Sequence, residues 1–60
     1  MNRIKEVLSE KGIKQTWLAY KLGKSYNQVN AYVQNRQQPR LEVLNDIANI
    51  LEVNIKDLIK

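Results

Sequence analysis

Gln15–Gly23 reads QTWLAYKLG and Ser25–Tyr32 reads SYNQVNAY, with Lys24 between them. Ala19 stands four positions before Gly23, and Val29 six positions after it. Ser25 and Gln28 have the S-x-x-Q spacing of a capping box, so a new helix is expected to start directly after the glycine. The stretch predicts two short helices joined by a tight turn. Ala19 lets the second helix approach closely, Gly23 takes the positive φ that ends the first, and Val29 packs back beneath it. Few arrangements other than a helix-turn-helix need all three, and that motif points to DNA.

Outward from this centre the chain stays helical. Ile4, Val7 and Leu8 fall at helical spacing and Gly12 stops the segment, which predicts a first helix over about Asn2 to Lys11. The second covers about Gln15 to Leu22 and the third about Tyr26 to Gln34. Asn35 can take the left-handed conformation that ends a helix, and Arg36-Gln37-Gln38-Pro39 reads as a loop. Leu41, Leu44, Ile47, Ala48 and Leu51 form an apolar stripe for a fourth helix. A short fifth helix, about Ile55 to Ile59, is entered through Asn54 as N-cap with Asp57 at N3. No period-2 alternation is long enough for a strand, so the expected class is all-α, a single domain over residues 1–60.

Sixty residues support one modest core, burying roughly 60% of the surface of the unfolded chain. The chain has no cysteine and no histidine, which removes a disulfide framework and makes a zinc staple implausible. No stretch has the length of a transmembrane span or the pattern of a signal peptide, so a soluble, cytoplasmic chain is expected. The formal charge is +4. Its distribution says more. Lys11 to Arg40 holds six basic residues and no acid, whereas Leu41 to Lys60 holds four acids against two lysines. That asymmetry suggests one face for a polyanion and another kept away from it. An enzyme is not expected, since there is no phosphate-binding glycine loop and no evident pair of converging carboxylates. No cofactor, metal or small-molecule ligand is implied.

Four stretches together, QTWLAYKLG, VNAYVQNRQQP, LEVLNDIANIL and VNIKDLI, resemble the lambda-repressor/Cro-like family of helix-turn-helix regulators over essentially the whole chain. The resemblance implies a compact five-helix domain with the helix-turn-helix in helices 2 and 3, about residues 15–34. It also implies sequence-specific binding of double-stranded DNA, usually as a homodimer. Many members pair an arginine in the first helix with a glutamate near the end of the third. Here Leu8 and Val33 stand at those positions, which suggests an apolar contact in place of an ion pair. Lys14 replaces the serine or threonine that often caps the second helix.

At roughly 100° per residue, Val29, Tyr32 and Val33 share the buried side of the third helix, while Asn27, Asn30, Ala31 and Gln34 point away. Amides and an alanine methyl suit base edges in the major groove. The base-contacting candidates are Tyr26, Asn27, Asn30 and Ala31. Backbone contacts are expected from Gln15, at a helix start where side-chain amide and free N–H groups can hold a phosphate, and from Lys24, Ser25, Gln34, Arg36, Gln38 and Arg40. Trp17 either lies over the first helix or stays partly exposed, and Tyr20 either bonds a phosphate or shields the helix surface.

A domain this small reads only a few base pairs, so a dimer on two half-sites is expected. Ile50, Asn54, Ile55, Leu58 and Ile59 are the candidate interface residues, with Leu58 also a candidate for the core. The function expected is a transcriptional regulator, most simply a repressor on a palindromic operator. The alternative is an antitoxin-like or other protein-binding module in which DNA binding is secondary, centred on Trp17 or Ile50.

Overall fold

Left-handed residues close all four α-helices of the computed structural model, which describes residues 1–60. The helices are α1 (Ile4–Lys11), α2 (Gln15–Leu22), α3 (Tyr26–Val33) and α4 (Leu41–Leu51), followed by a 3₁₀ turn at Ile55–Leu58. Gly12 and Gly23 have φ of +66° and +68°. After each, the next N–H reaches back to the last turn, Ile13 N to Leu8 O at 3.0 Å and Lys24 N to Ala19 O at 3.1 Å. Asn35 (φ 61°) closes α3 the same way through Arg36 N to Ala31 O, 2.9 Å. Glu52 (φ 57°) closes α4 through Val53 N to Ala48 O, 3.0 Å. These pairings satisfy carbonyls that a helix end otherwise leaves to water.

A Cβ added at Gly23 meets nothing within 4 Å, so only the backbone opposes a side chain there. Gly23→Ala is therefore expected to cost about 1 kcal/mol, and Gly23→Asn distinctly less, because asparagine tolerates the left-handed region. Urea midpoints of the two variants check this; equal losses would mean that the strain is not conformational.

The core is one cluster drawn from every element: Ile4, Val7 and Leu8, then Leu18 and Ala19, then Val29, Tyr32 and Val33, then Val43, Leu44, Ile47, Ala48 and Leu51, and finally Leu58. The second helix packs on α3 and α4, α1 packs on α3, and α4 packs on the terminal turn. Leu8 and Val33 are both buried in this cluster, as their apolar character implied.

Four expectations need correction. The first helix begins at Ile4 and not Asn2, because Asn2 is extended and pairs as a β-bridge with Ile59. The third ends at Val33, and Gln34 caps it with its N–H on Asn30 O. The fifth helix is only a 3₁₀ turn: Ile59 leaves helical geometry (φ −113°, ψ 134°) to meet Asn2. The Asp57 carboxylate does accept from the Asn54 N–H at 3.3 Å, as the capping pattern required. Leu41 is not part of the buried stripe but 71% exposed. It lies about 80° from the centre of that stripe, and its side chain tilts toward the helix start, away from the core. Val43 fills the stripe in its place.

The termini run side by side. Arg3 N donates to Leu58 O at 2.8 Å, and Lys60 Nζ lies 3.4 Å from Glu6 Oε2. The Glu6 carboxyl is held below its ordinary pKa, first by its own backbone N–H and then by Lys60.

Candidate nucleic-acid interface

Ser25 sets the direction of α3. Its Oγ accepts the Gln28 N–H at 3.1 Å, as an N-cap should, and its hydroxyl hydrogen stays free. The capping box is only half formed: no bond from the Ser25 N–H to the Gln28 side-chain oxygen closes it, and Gln28 Nε2 donates to the Tyr32 hydroxyl at 3.2 Å. With Val29, Tyr32 and Val33 buried, the opposite face of α3 is held outward. On it Tyr26 is 49% exposed, Asn27 is open, and Asn30 and Ala31 are half-buried. The four base-contacting candidates thus occupy one helix face. Asn30 is engaged within the chain: Arg36 Nη2 donates to its Oδ1 at 2.8 Å.

Lys24 and Arg40 both line a polar cleft of about 460 Å³ that also takes in Gln28, Gln38 and Glu42. The cleft joins the α2–α3 turn to the first turn of α4, two places far apart in sequence. Gln38 is already bonded within the chain. Its Oε1 accepts from Asn2 Nδ2 at 3.0 Å and its Nε2 donates to Asn35 Oδ1 at 3.1 Å, so the amide holds the loop in place. Glu42 was not foreseen, and it adds one carboxylate to the wall of the same cleft. Gln34 is exposed and lies just past α3. Gln15, half-buried at the first position of α2, encloses an Nε2 with no partner. A buried donor of this kind calls for an acceptor, which a rotation of the amide or a bound anion can supply.

Lys11, Lys14, Lys21, Arg36 and Arg40 are all exposed and Lys24 is half-buried, so the basic two-thirds of the chain is basic at its surface. Trp17 is 41% exposed and Tyr20 79% exposed. Together with Ile13 they line a shallow hollow of about 730 Å³ on the outer side of α2. Lys21 Nζ sits 5.5 Å from the centre of the Trp17 ring, within cation–π range. Trp17 is thus the partly exposed residue of its two readings.

The dimer candidates differ in how far they reach the surface. Leu58 is completely buried and belongs to the core, which removes it as a surface contact. Ile50 and Ile55 are half-buried against the core. Ile50 sits beside Lys21 and Leu22, whereas Ile59, 48% exposed, sits beside Asn2. Asn54 is exposed. No group of three or more His, Cys, Asp or Glu could hold a metal ion, and no helix is long and apolar enough to cross a membrane.

Comparison with curated proteins finds no match. Among solved structures, a Bacteroides fragilis protein provisionally described as DNA-binding is 41% identical, with a TM-score of 0.94 over 97% of this chain and 94% of that one. The Cro/C1-type helix-turn-helix DNA-binding domain family matches residues 3–60, a span that takes in every helix and every side chain on the outward face of α3, and the chain belongs to that family.

Proposed function

We propose that this protein is a sequence-specific regulator of transcription, most simply a repressor, in a bacterial or phage-type cytoplasm. The helices α2 and α3 form the helix-turn-helix, and α3 enters the major groove of double-stranded DNA. The observation that carries the reading is the outward face of α3, where Asn27 offers an amide with no partner in the protein, set within a surface that bears no acid from Lys11 to Arg40. An asparagine amide can bond adenine N6 and N7 together, and the Ala31 methyl suits a thymine methyl. Tyr26 stands at the start of the same face. Gln15, Lys24, Ser25, Gln34, Gln38 and Arg40 are the candidates for phosphate contacts, which set register and supply most of the salt-dependent affinity. Two copies on a palindrome would read a site of useful length, with Ile50, Asn54, Ile55 and Ile59 the remaining candidates for their contact.

Selection of bound sites from random duplex DNA tests this reading, because it returns the operator and its symmetry together. On the selected site, Asn27→Ala is expected to lose about 1–3 kcal/mol and to relax one base position. Lys24→Ala is expected to weaken all duplexes by a similar factor and to flatten the salt dependence. Asn27→Ala acting uniformly on every sequence would sink the assignment of α3.

A second reading has one observation in its favour, the exposed Trp17–Tyr20 hollow with lysines at its edge. In a protein-binding module that surface would be the working one. The same selection would then enrich no sequence at moderate salt.

A further inference from the structure

Asn30 and Arg36 are six residues apart, yet their side chains meet at 2.8 Å. The turn makes this possible. Asn35 is left-handed (φ 61°), and Arg36 N bonds back to Ala31 O at 2.9 Å, so the chain reverses at the end of α3. Asn35 is itself pinned, its Oδ1 accepting the Asn2 N–H at 2.8 Å and its Nδ2 donating to Asn2 O at 3.3 Å. The Arg36 backbone is therefore held in place by groups outside the loop.

We propose that Arg36 fixes the Asn30 amide with its carbonyl turned toward the guanidinium, so that the two side chains together offer their donors to the groove and read guanine. This rests on the placement of α3 in the major groove. An asparagine that reads adenine needs its carbonyl for N6–H₂ and its N–H for N7. Here Oδ1 already accepts a charged donor, a bond stronger than a neutral one. The bond turns Oδ1 and its second lone pair toward the guanidinium, and the donors left over are the two Nδ2 hydrogens and the remaining guanidinium N–H groups. Guanine is the base whose major-groove edge shows two adjacent acceptors, O6 and N7. Asn30 lies three residues from Asn27 and four from Tyr26, on the same side of α3, so the pair addresses a base step next to theirs.

Selection from random duplex DNA with the wild-type protein, Arg36→Ala, Arg36→Lys and Asn30→Ala tests the pair. Arg36 is exposed, and circular dichroism confirms that each variant is folded before selection. The wild-type site is expected to carry a guanine whose preference, on the order of tenfold, disappears at that same position in Asn30→Ala. In Arg36→Ala the freed amide is expected to shift the preference there toward adenine. Arg36→Lys keeps the charge but loses the planar fork, and is expected to lose the guanine as well. If Arg36→Ala weakens every sequence alike and Arg36→Lys restores full binding, Arg36 is a phosphate contact and the proposal is overturned. Adenine at the Asn30 position of the wild-type site overturns it too. If no protein enriches any sequence, the DNA-reading role of α3 falls, and this pairing with it.

Discussion

Val33→Glu is expected to remove about 3–5 kcal/mol of stability and to leave little folded protein at neutral pH. Val33 is 3% exposed at the end of α3, and Leu8, on the α1 side of the same apolar cluster, is 5% exposed. A glutamate there would have no buried cation and no water. A domain of this length has only roughly 3–9 kcal/mol to lose, at the usual stability per residue. The loss has a pH signature. Burial raises the folded-state pKa of the new carboxyl above its unfolded value of about 4.3, so the deficit is greatest above the raised pKa. As pH falls through that window the folded state takes up the proton while the unfolded state is still ionised, so the deficit narrows, and below about 4.3 the carboxyl is neutral in both states. Adding Leu8→Arg, itself destabilising, is expected to return part of the loss, because the two charges would face each other across α1 and α3. Urea unfolding of the four proteins in the cycle measures the coupling, with sucrose added where the single variant is too weak. Additivity within about 0.5 kcal/mol would mean that residues 8 and 33 do not meet.

The reason the sequence pointed to this pair is instructive. The resemblance implies an ion pair at these two positions, apolar residues stand at both, and packing between them is the simplest physical reading. Local signals of that kind served well elsewhere. Gly12, Gly23 and Asn35 were readable as helix ends because few residues tolerate positive φ. Glu52 was not, since nothing about a glutamate marks a left-handed residue. It adopts φ 57° because the Val53 N–H closes onto Ala48 O. The fifth helix was misjudged for a related reason: Asn54 and Asp57 describe how a helix starts, but the bridge of Ile59 to Asn2 decides where it stops.

The outward face of α3 was legible because it depends only on helical period and on which residues are apolar. The engagement of Gln38 and Arg36 was not. Gln38 meets Asn2 across 36 positions of sequence, and no periodicity encodes an amide–amide contact at that range. Sequence pattern identified residues able to reach a phosphate, but it could not show which of them the fold already uses. Leu58 is the same lesson with an apolar side chain: hydrophobic character qualified it equally for a partner surface and for the core, and only its complete burial separates the two.

The least expected residue in the molecule carries the second large effect. Asn2 is the one polar residue in the buried set, 3% exposed, and its amide is fully engaged. Oδ1 accepts the Ile4 N–H at 3.0 Å, while Nδ2 donates to Tyr32 O and to Gln38 Oε1, each at 3.0 Å. These bonds tie the start of α1 to the end of α3 and to the loop that carries Arg36 and Gln38. Asn2→Ala leaves the Ile4 N–H without its acceptor and removes the donors to Tyr32 O in α3 and to Gln38 Oε1 in the loop. The expected cost is about 2–4 kcal/mol, since a buried group stranded without its partner costs more than a bond contributes. Asn2→Asp separates geometry from mere polarity. It keeps an acceptor for Ile4 but sets a second oxygen against Tyr32 O and Gln38 Oε1, so it is expected to be at least as damaging at neutral pH. Its carboxyl, unpaired and buried, takes a raised pKa in the folded state, and stability is recovered as pH falls through that pKa toward the unfolded value. Urea unfolding against pH measures both variants, and hydrogen exchange at the Ile4 amide should quicken in Asn2→Ala well beyond the global change. An Asn2→Ala protein within about 0.5 kcal/mol of the wild type would show that water replaces the amide at no cost. The loop would then have to owe its position to Asn35 and the α3 terminus alone.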